Sequence, residues 1–398
     1  MMKQSASYNI SSLIEKYRQV FKGNPRIFSS PGRINIIGEH TDYNNGFVLP
    51  AAIDKAAYVA IDKKDDDQIR LYSVAFDDHY ACTTDTVQRR HSWTDYVLGV
   101  VDQLKKSGYP VQGFDLALDG DIIIGAGLSS SAAVECSVLY ALNTIFQFGL
   151  SPMEIVKMAQ KAEHEFAGVK CGIMDQFASV FGKEGHVLKL DCRSLEYEYI
   201  PLQLQGYQIV LLNSNVEHSL AGTEYNTRRQ QCEQGVAWVA EAEEGVQSMR
   251  DITLRQLEDY VKPKDALVYR RCRYVIEENE RLLQACRDLQ KGHLEGLGKM
   301  MYGSHEGLSK EYEVSCKELD WLVDFVKKEP SVLGARMMGG GFGGCTINLV
   351  KEEAVASLIE AVSYLYQQNN HLKLDAYVVQ PADGTREIRN QAIRNDYE

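Results

Sequence analysis

Proline is scarce, with 9 residues in 398, so no Pro-rich linker marks a domain boundary. Basic charge is also in deficit: 43 lysines and arginines face 55 acids, a net of −12. That excludes the basic face of a nucleic-acid binder. A phosphorylated ligand therefore meets no general positive field and must be held locally, by backbone N–H groups, a metal and a few placed cations. The 9 cysteines are odd in number and include no Cys-x-x-Cys pair. This excludes a disulfide framework or a zinc site and leaves mostly buried thiols in a reducing compartment. No run approaches the about 18 apolar residues of a membrane helix, and residues 1–10 carry no apolar signal core. A cytoplasmic protein with no membrane or nucleic-acid partner is expected.

What is present is an ordinary globular balance, 44% hydrophobic and 25% charged, in a chain long enough for two or three domains. Strand-like and helix-like segments alternate, which gives an α+β or α/β class. Ser12-Leu13-Ile14-Glu15 fits a capping box for a first helix. Residues 26–29 read as extended, with a turn at Pro31-Gly32. Strands are expected over 47–53, 57–62 and 68–74, the acidic stretch 63–67 forming a hairpin loop between the last two. A helix is expected over 92–106, and Ser151-Pro152 starts another that runs to about 166. Residues 207–213 and 345–350 read as strands. Long amphipathic helices fill about 220–328, a helix covers about 352–367, and a last strand lies near 372–379. The texture changes near 190, which divides the chain into 1–190 and 191–398.

Three segments carry the chemistry. In the first, Arg33, Asn35, Glu39, His40 and Asp42 crowd an apolar, turn-rich stretch. Such a set suits recognition of several hydroxyl groups, or forms a solvated loop with a salt bridge. In the second, Gly125, Ala126, Gly127, Leu128, Ser129, Ser130 and Ser131 pass from a strand through a glycine loop into an apolar helix. That places free N–H groups and a positive helix end together; the bland reading is a flexible turn with a serine cap. The third, Gly339-Gly340-Gly341-Phe342-Gly343-Gly344, has the letters of a dinucleotide fingerprint but is followed by a strand where a helix is required. It permits close backbone approach, to a ligand or to another segment. No Gly-x4-Gly-Lys-[Ser/Thr], His-Arg-Asp or Asp-Phe-Gly occurs, so P-loop and protein-kinase chemistry are excluded.

Together these segments resemble those of a known family. Gly32-Arg33-x-Asn35-Ile36-Ile37-Gly38-Glu39-His40-x-Asp42-Tyr43 is similar to the galactokinase signature. The two glycine segments resemble the other motifs of the GHMP small-molecule kinases (galactokinase, homoserine kinase, mevalonate kinase, phosphomevalonate kinase). Cys171-Gly172-Ile173-Met174-Asp175-Gln176 resembles the galactokinase catalytic stretch. Asn213-Ser214-Asn215-Val216-x-His218 with Tyr225-Asn226-x-Arg228-Arg229 resembles a further block. The likeness runs from about 26 to 380.

It implies a ribosomal-protein-S5-like N-terminal domain and a ferredoxin-like C-terminal domain. The active site would lie in the cleft, and the resemblance allows the final strand to rejoin the first domain. It implies ATP as co-substrate, Mg2+, and galactose or a related sugar such as N-acetylgalactosamine. By matching position, Asp175 is the base and Arg33 steadies the transferring charge. Glu39, His40, Thr41, Asp42, Gly172 and Tyr225 bind sugar. The loop from Gly125 to Ser131, with Ser73 and Trp93, binds nucleotide; Ser131 and Glu163 bind metal. A non-catalytic sugar and ATP sensor would have lost catalytic parts that are present here. One departure is Ile123, where the family commonly has proline. Oligomeric state is not implied, though a monomer is compatible.

Overall fold

A computed structural model describes residues 8–123, 125–216 and 221–389; His218 of the segments above lies outside them. The first lobe is built on a six-stranded sheet. Its order is Arg386–Ile388, Arg26–Asn35, Pro50–Lys63, Phe114–Gly120, Gln68–Ser73, Asp78–Thr83. All neighbours are antiparallel except Gln68–Ser73 beside Phe114–Gly120. Side chains alternate across it. Phe28, Val59 and Leu116 pack under the helices Thr94–Lys106, Ser130–Phe146 and Pro152–Ala162. Their neighbours Ile27, Ala60 and Ala117 pack under the first helix, Ile10–Phe21.

The second lobe carries a four-stranded antiparallel sheet, ordered Val332–Met337, Cys345–Lys351, Tyr207–Asn213, Asp375–Val379. One face meets Leu322, Val362 and Tyr366. The other joins the largest core, in which Ile34, Ile36, Leu49, Ala126 and Leu128 of the first lobe meet Leu211, Leu282, Leu297 and Ile347 of the second. A small three-stranded sheet, Phe47–Val48, His186–Asp191, Tyr197–Pro201, lies alongside.

Four expectations about local structure are corrected. The stretch 63–67 is no hairpin loop: Phe114–Gly120 inserts between the flanking strands and pairs with both, because it brings its own apolar alternation to the middle of the sheet. Ser12 lies inside the first helix, which Asn9 caps by accepting the Ser12 N–H; an Asx side chain three residues earlier takes that role. Pro31-Gly32 is not a turn. The strand continues to Asn35 through a bulge between Pro31 and Arg33. The segment 47–62 is broken at Leu49, then runs as one strand from Pro50 to Lys63. The last strand expected, near 372–379, stays in the second lobe as Asp375–Val379; a further strand, Arg386–Ile388, is the one that pairs with Arg26–Asn35.

The glycine run at 339–344 joins the antiparallel strands Val332–Met337 and Cys345–Lys351, so the dinucleotide geometry is absent. Close approach is real there: a Cβ on Gly341 would lie 2.1 Å from the Val314 carbonyl oxygen.

Candidate active site

The bulge at Pro31–Arg33 re-aims Arg33 toward the interior. Gly32 makes this possible, since a Cβ there would meet the Leu128 carbonyl oxygen at 2.8 Å. That same carbonyl accepts from Arg33 N at 3.1 Å, stitching the strand to the glycine loop. The Arg33 side chain is buried. Its Nε donates to Asp175 Oδ1 at 2.7 Å, and its Nη1 donates to the Gly127 carbonyl. Asp175 sits in the first turn of the helix Met174–Phe181 and takes a second bond on Oδ2 from Ser129 Oγ, 2.5 Å. Burial opposes the Arg33 charge, but the carboxylates of Asp175, Glu39 and Asp42 outweigh it and hold its pKa above the ordinary value.

Ser129 reaches Asp175 because it adopts a left-handed backbone, φ +57°. No side chain caps the helix Ser130–Phe146 that follows, so its first N–H groups stay available to an anion. Ala126 and Leu128 turn their side chains into the core between the lobes. Only their backbone can serve a ligand. Three residues beyond Leu128, Ser131 Oγ donates to Glu163 Oε1 at 2.9 Å. Glu163 is buried at the turn ending its helix, and also accepts from Gln176 Nε2 at 2.6 Å and Cys171 Sγ at 3.3 Å. Burial, then the Asp175 charge, push its pKa up.

Two cavities flank this core. One, about 510 Å³, is lined by Arg33, Glu39, His40, Asp42, Gly172, Asp175, Tyr225 and the 339–341 glycines, and also by Glu163. The other, about 500 Å³, is lined by Ser73, Phe76, Trp93, Tyr96, Ser130 and Ser131. The Ser131–Glu163 hydrogen bond therefore spans their junction. Trp93 is fixed there by its Nε1, which donates to Asp78 Oδ2 at 2.9 Å.

The loop over 38–47 is gripped from the second lobe. Gly38 N donates to Glu278 Oε1, Phe47 N to Asn279 Oδ1, and Tyr274 OH to the Glu39 carbonyl, at 3.0, 2.8 and 3.1 Å. All three side chains come from the helix Ala266–Gln290. Glu39 Oε1 accepts from Gly339 N at 2.8 Å and from the fully buried Arg336 at 3.1 Å. Arg336 also donates to the carbonyls of Asn35 and Ile36. His40 has φ +61°; burial lowers its pKa to about 3, so its imidazole is neutral. Burial raises Asp42 to about 7, tempered by a bond from the Tyr43 backbone.

Thr41 differs from the other expected sugar residues. It is fully buried, and its hydroxyl lies 2.9 Å from the Gly38 carbonyl and 2.6 Å from that of Phe47. It closes the loop on itself and does not line the cavity.

Comparison with known proteins agrees with this geometry. The galactokinase galactose-binding signature matches residues 15–63, the GHMP kinases N-terminal domain 95–183, and the GHMP kinases C-terminal model 283–368. A galactokinase of Thermotoga neapolitana is 43% identical over 90% of this chain and 99% of its own length. One from Exiguobacterium sibiricum is 40% identical over 92% and 95%. The chain belongs to the galactokinase family. The crystal structure of Lactococcus lactis galactokinase complexed with galactose superposes with a TM-score of 0.92 at 35% identity, covering 95% of this chain and all of that one. Methanococcus jannaschii mevalonate kinase shares the fold, with a TM-score of 0.64 at 20% identity. Membership makes the protein a GHMP-fold, ATP-dependent sugar kinase.

Within this family site, Arg336, Glu278, Asn279, Gln176 and Phe76 were not singled out from sequence. Arg336 stands two residues before Met338 and the glycine run, and Gln176 directly follows Asp175. Those placements were the available signals. Glu278 and Asn279 sit in a charged helical stretch that reads as solvent-facing, and nothing in it marks them.

Proposed function

We propose that the protein transfers the γ-phosphoryl of ATP to the 1-hydroxyl of galactose, giving galactose 1-phosphate and ADP. The observation that carries this reading is the Arg33–Asp175–Ser129 constellation, with Arg33 and Asp175 on the wall of one of two cavities of nearly equal size that meet at Ser131 and Glu163. In our reading the sugar occupies the cavity with Glu39, His40, Asp42, Gly172 and Tyr225. The nucleotide occupies the one with Ser73 and Trp93, its phosphates lying over the loop from Gly125 to Ser131. Thr41 contributes by holding the sugar loop. The lobes divide near residue 190, and the setting is the cytoplasm.

Asp175 orients the 1-hydroxyl and takes its proton as the new O–P bond forms. The bond from the γ-phosphorus to the β–γ bridging oxygen breaks, leaving ADP. Arg33 offsets the charge on the moving phosphoryl. Ser129, bonded to the far oxygen of Asp175, fixes that carboxylate in plane.

Among the described residues no three or more His, Cys, Asp or Glu side chains form a protein metal cage. Ser131 and Glu163 nevertheless present hard oxygen donors side by side, which fits Mg2+ held by one or two protein oxygens, waters and phosphates. When bound, the ion neutralises phosphate charge.

The test is ADP release from ATP and Mg2+ with galactose, N-acetylgalactosamine, glucose and arabinose offered in parallel. Turnover with galactose above the others is expected. Preference for N-acetylgalactosamine would move the substrate, and tight galactose binding without ADP would overturn the reading.

A further inference from the structure

A line of hydrogen-bonded side chains runs from the sugar cavity into the helical lobe. His40 Nδ1 lies 2.8 Å from the Tyr43 hydroxyl, which lies 2.9 Å from the Tyr312 hydroxyl. The Tyr312 hydroxyl lies 3.3 Å from Cys232 Sγ. Tyr312 and Cys232 are fully buried. The His40 ring is clamped between Tyr312 and Tyr225, with centroids 5.0 and 5.3 Å away. On its other side, Nε2 is buried without a side-chain hydrogen-bond partner, the Gly340 backbone standing beside the ring, in a residue that lines the cavity. The reaction as described uses neither tyrosine.

Each hydroxyl in such a line donates one hydrogen, so the line has a direction. That direction fixes which imidazole nitrogen carries the proton. In one direction Cys232 donates to Tyr312, Tyr312 to Tyr43, and Tyr43 to Nδ1. The imidazole N–H is then on Nε2. In the other, the imidazole spends its N–H on a phenol oxygen, and the last phenol donates to sulfur, a weak acceptor. The first direction pairs the best donor, a phenol O–H, with the best acceptor, an imidazole nitrogen.

We propose that Tyr43 and Tyr312 are positioning residues that hold His40 as the Nε2–H tautomer, so that the cavity offers an N–H donor to a sugar oxygen. This rests on the reading of that cavity as the sugar site. Together with the carboxylates of Glu39 and Asp42, which accept from sugar hydroxyls when ionised, it gives the pocket both hydrogen-bonding polarities.

The test is long-range 1H–15N correlation on 15N-histidine-labelled protein without sugar, with His40 assigned by its loss in His40→Gln. The expected result is a protonated Nε2 and a bare Nδ1. Tyr43→Phe is expected to mix the tautomers and raise the galactose KM roughly 3- to 10-fold, the span of one lost hydrogen bond. kcat and the ATP KM should stay within about twofold. If Tyr43→Phe does not fold, Tyr312→Phe removes one hydroxyl from the same line and is read the same way. A wild-type Nδ1–H tautomer overturns the proposal. So does a folded variant that keeps the wild-type tautomer or the wild-type galactose KM. The spectrum needs neither sugar nor turnover, so its failure is distinct from failure of the sugar reading, which would show as no galactose turnover by the wild type.

Discussion

Gly172 lies so close against Asp42 that a methyl group on it would sit 1.6 Å from Asp42 Oδ2 and 2.2 Å from its Cγ. The constraint is space, because this glycine is not in the left-handed region. Gly172→Ala must therefore displace the Asp42 carboxylate from the cavity wall. A rise of about tenfold or more in galactose KM is expected, from loss of a charge-assisted bond. The ATP KM should change little. Steady-state kinetics with each substrate varied checks both.

Asp42 also gives a pH dependence with a definite sign. Its folded pKa is raised to about 7, against about 3.9 for the unfolded chain. The folded state thus keeps a proton that the unfolded chain has released. This contribution to stability is complete below about pH 4 and is lost as pH rises through about 7. Asp42→Asn removes the titration. Its melting temperature should fall less than that of the wild type between pH 5 and pH 8, as followed by thermal denaturation without ligands.

The glycine loops, the Arg33 segment and the stretch around Asp175 were legible because their chemistry is local: each needs particular residues at fixed spacing. Tyr207–Asn213 was placed correctly because an apolar run between turn signals determines a strand. What was not legible depends on distant partners. Nothing near residues 63–67 announces that Phe114–Gly120 will insert beside them. Thr41 sits in sequence among residues that line the cavity, yet its hydroxyl is taken by two carbonyls of its own loop. Glu163 was reached as a metal ligand through the family resemblance alone, because Ser131, Gln176 and Cys171 are brought around it only by the fold. Arg336 is a positive charge in a strand, and only the fold shows that Glu39 awaits it.

Arg336 and Glu39 form an ion pair that is buried on both sides. Removing one partner of such a pair leaves an uncompensated charge, at a cost of about 3–5 kcal/mol. Arg336→Met should destabilise the protein by that order, measured by urea denaturation. Glu39→Gln keeps an oxygen for Gly339 N but leaves the buried Arg336 charge uncompensated, and should cost a similar amount.

Glu163 is proposed to hold Mg2+ with Ser131. Glu163→Gln preserves the shape but removes the charge. The magnesium concentration for half-maximal rate should rise by about tenfold or more, while galactose affinity measured without magnesium stays near that of the wild type. Titration of activity with MgCl2, beside calorimetry with galactose, separates the two.

In the proposed reaction Asp175, held by Arg33 and Ser129, acts on the sugar 1-hydroxyl. Single-turnover transfer from ATP to galactose in Asp175→Asn tests it most directly, with galactose affinity measured on the same protein. A loss of about 10²–10⁴ in the transfer rate is expected, with galactose binding changed by less than about tenfold. Transfer at near the wild-type rate by a folded Asp175→Asn protein would contradict it.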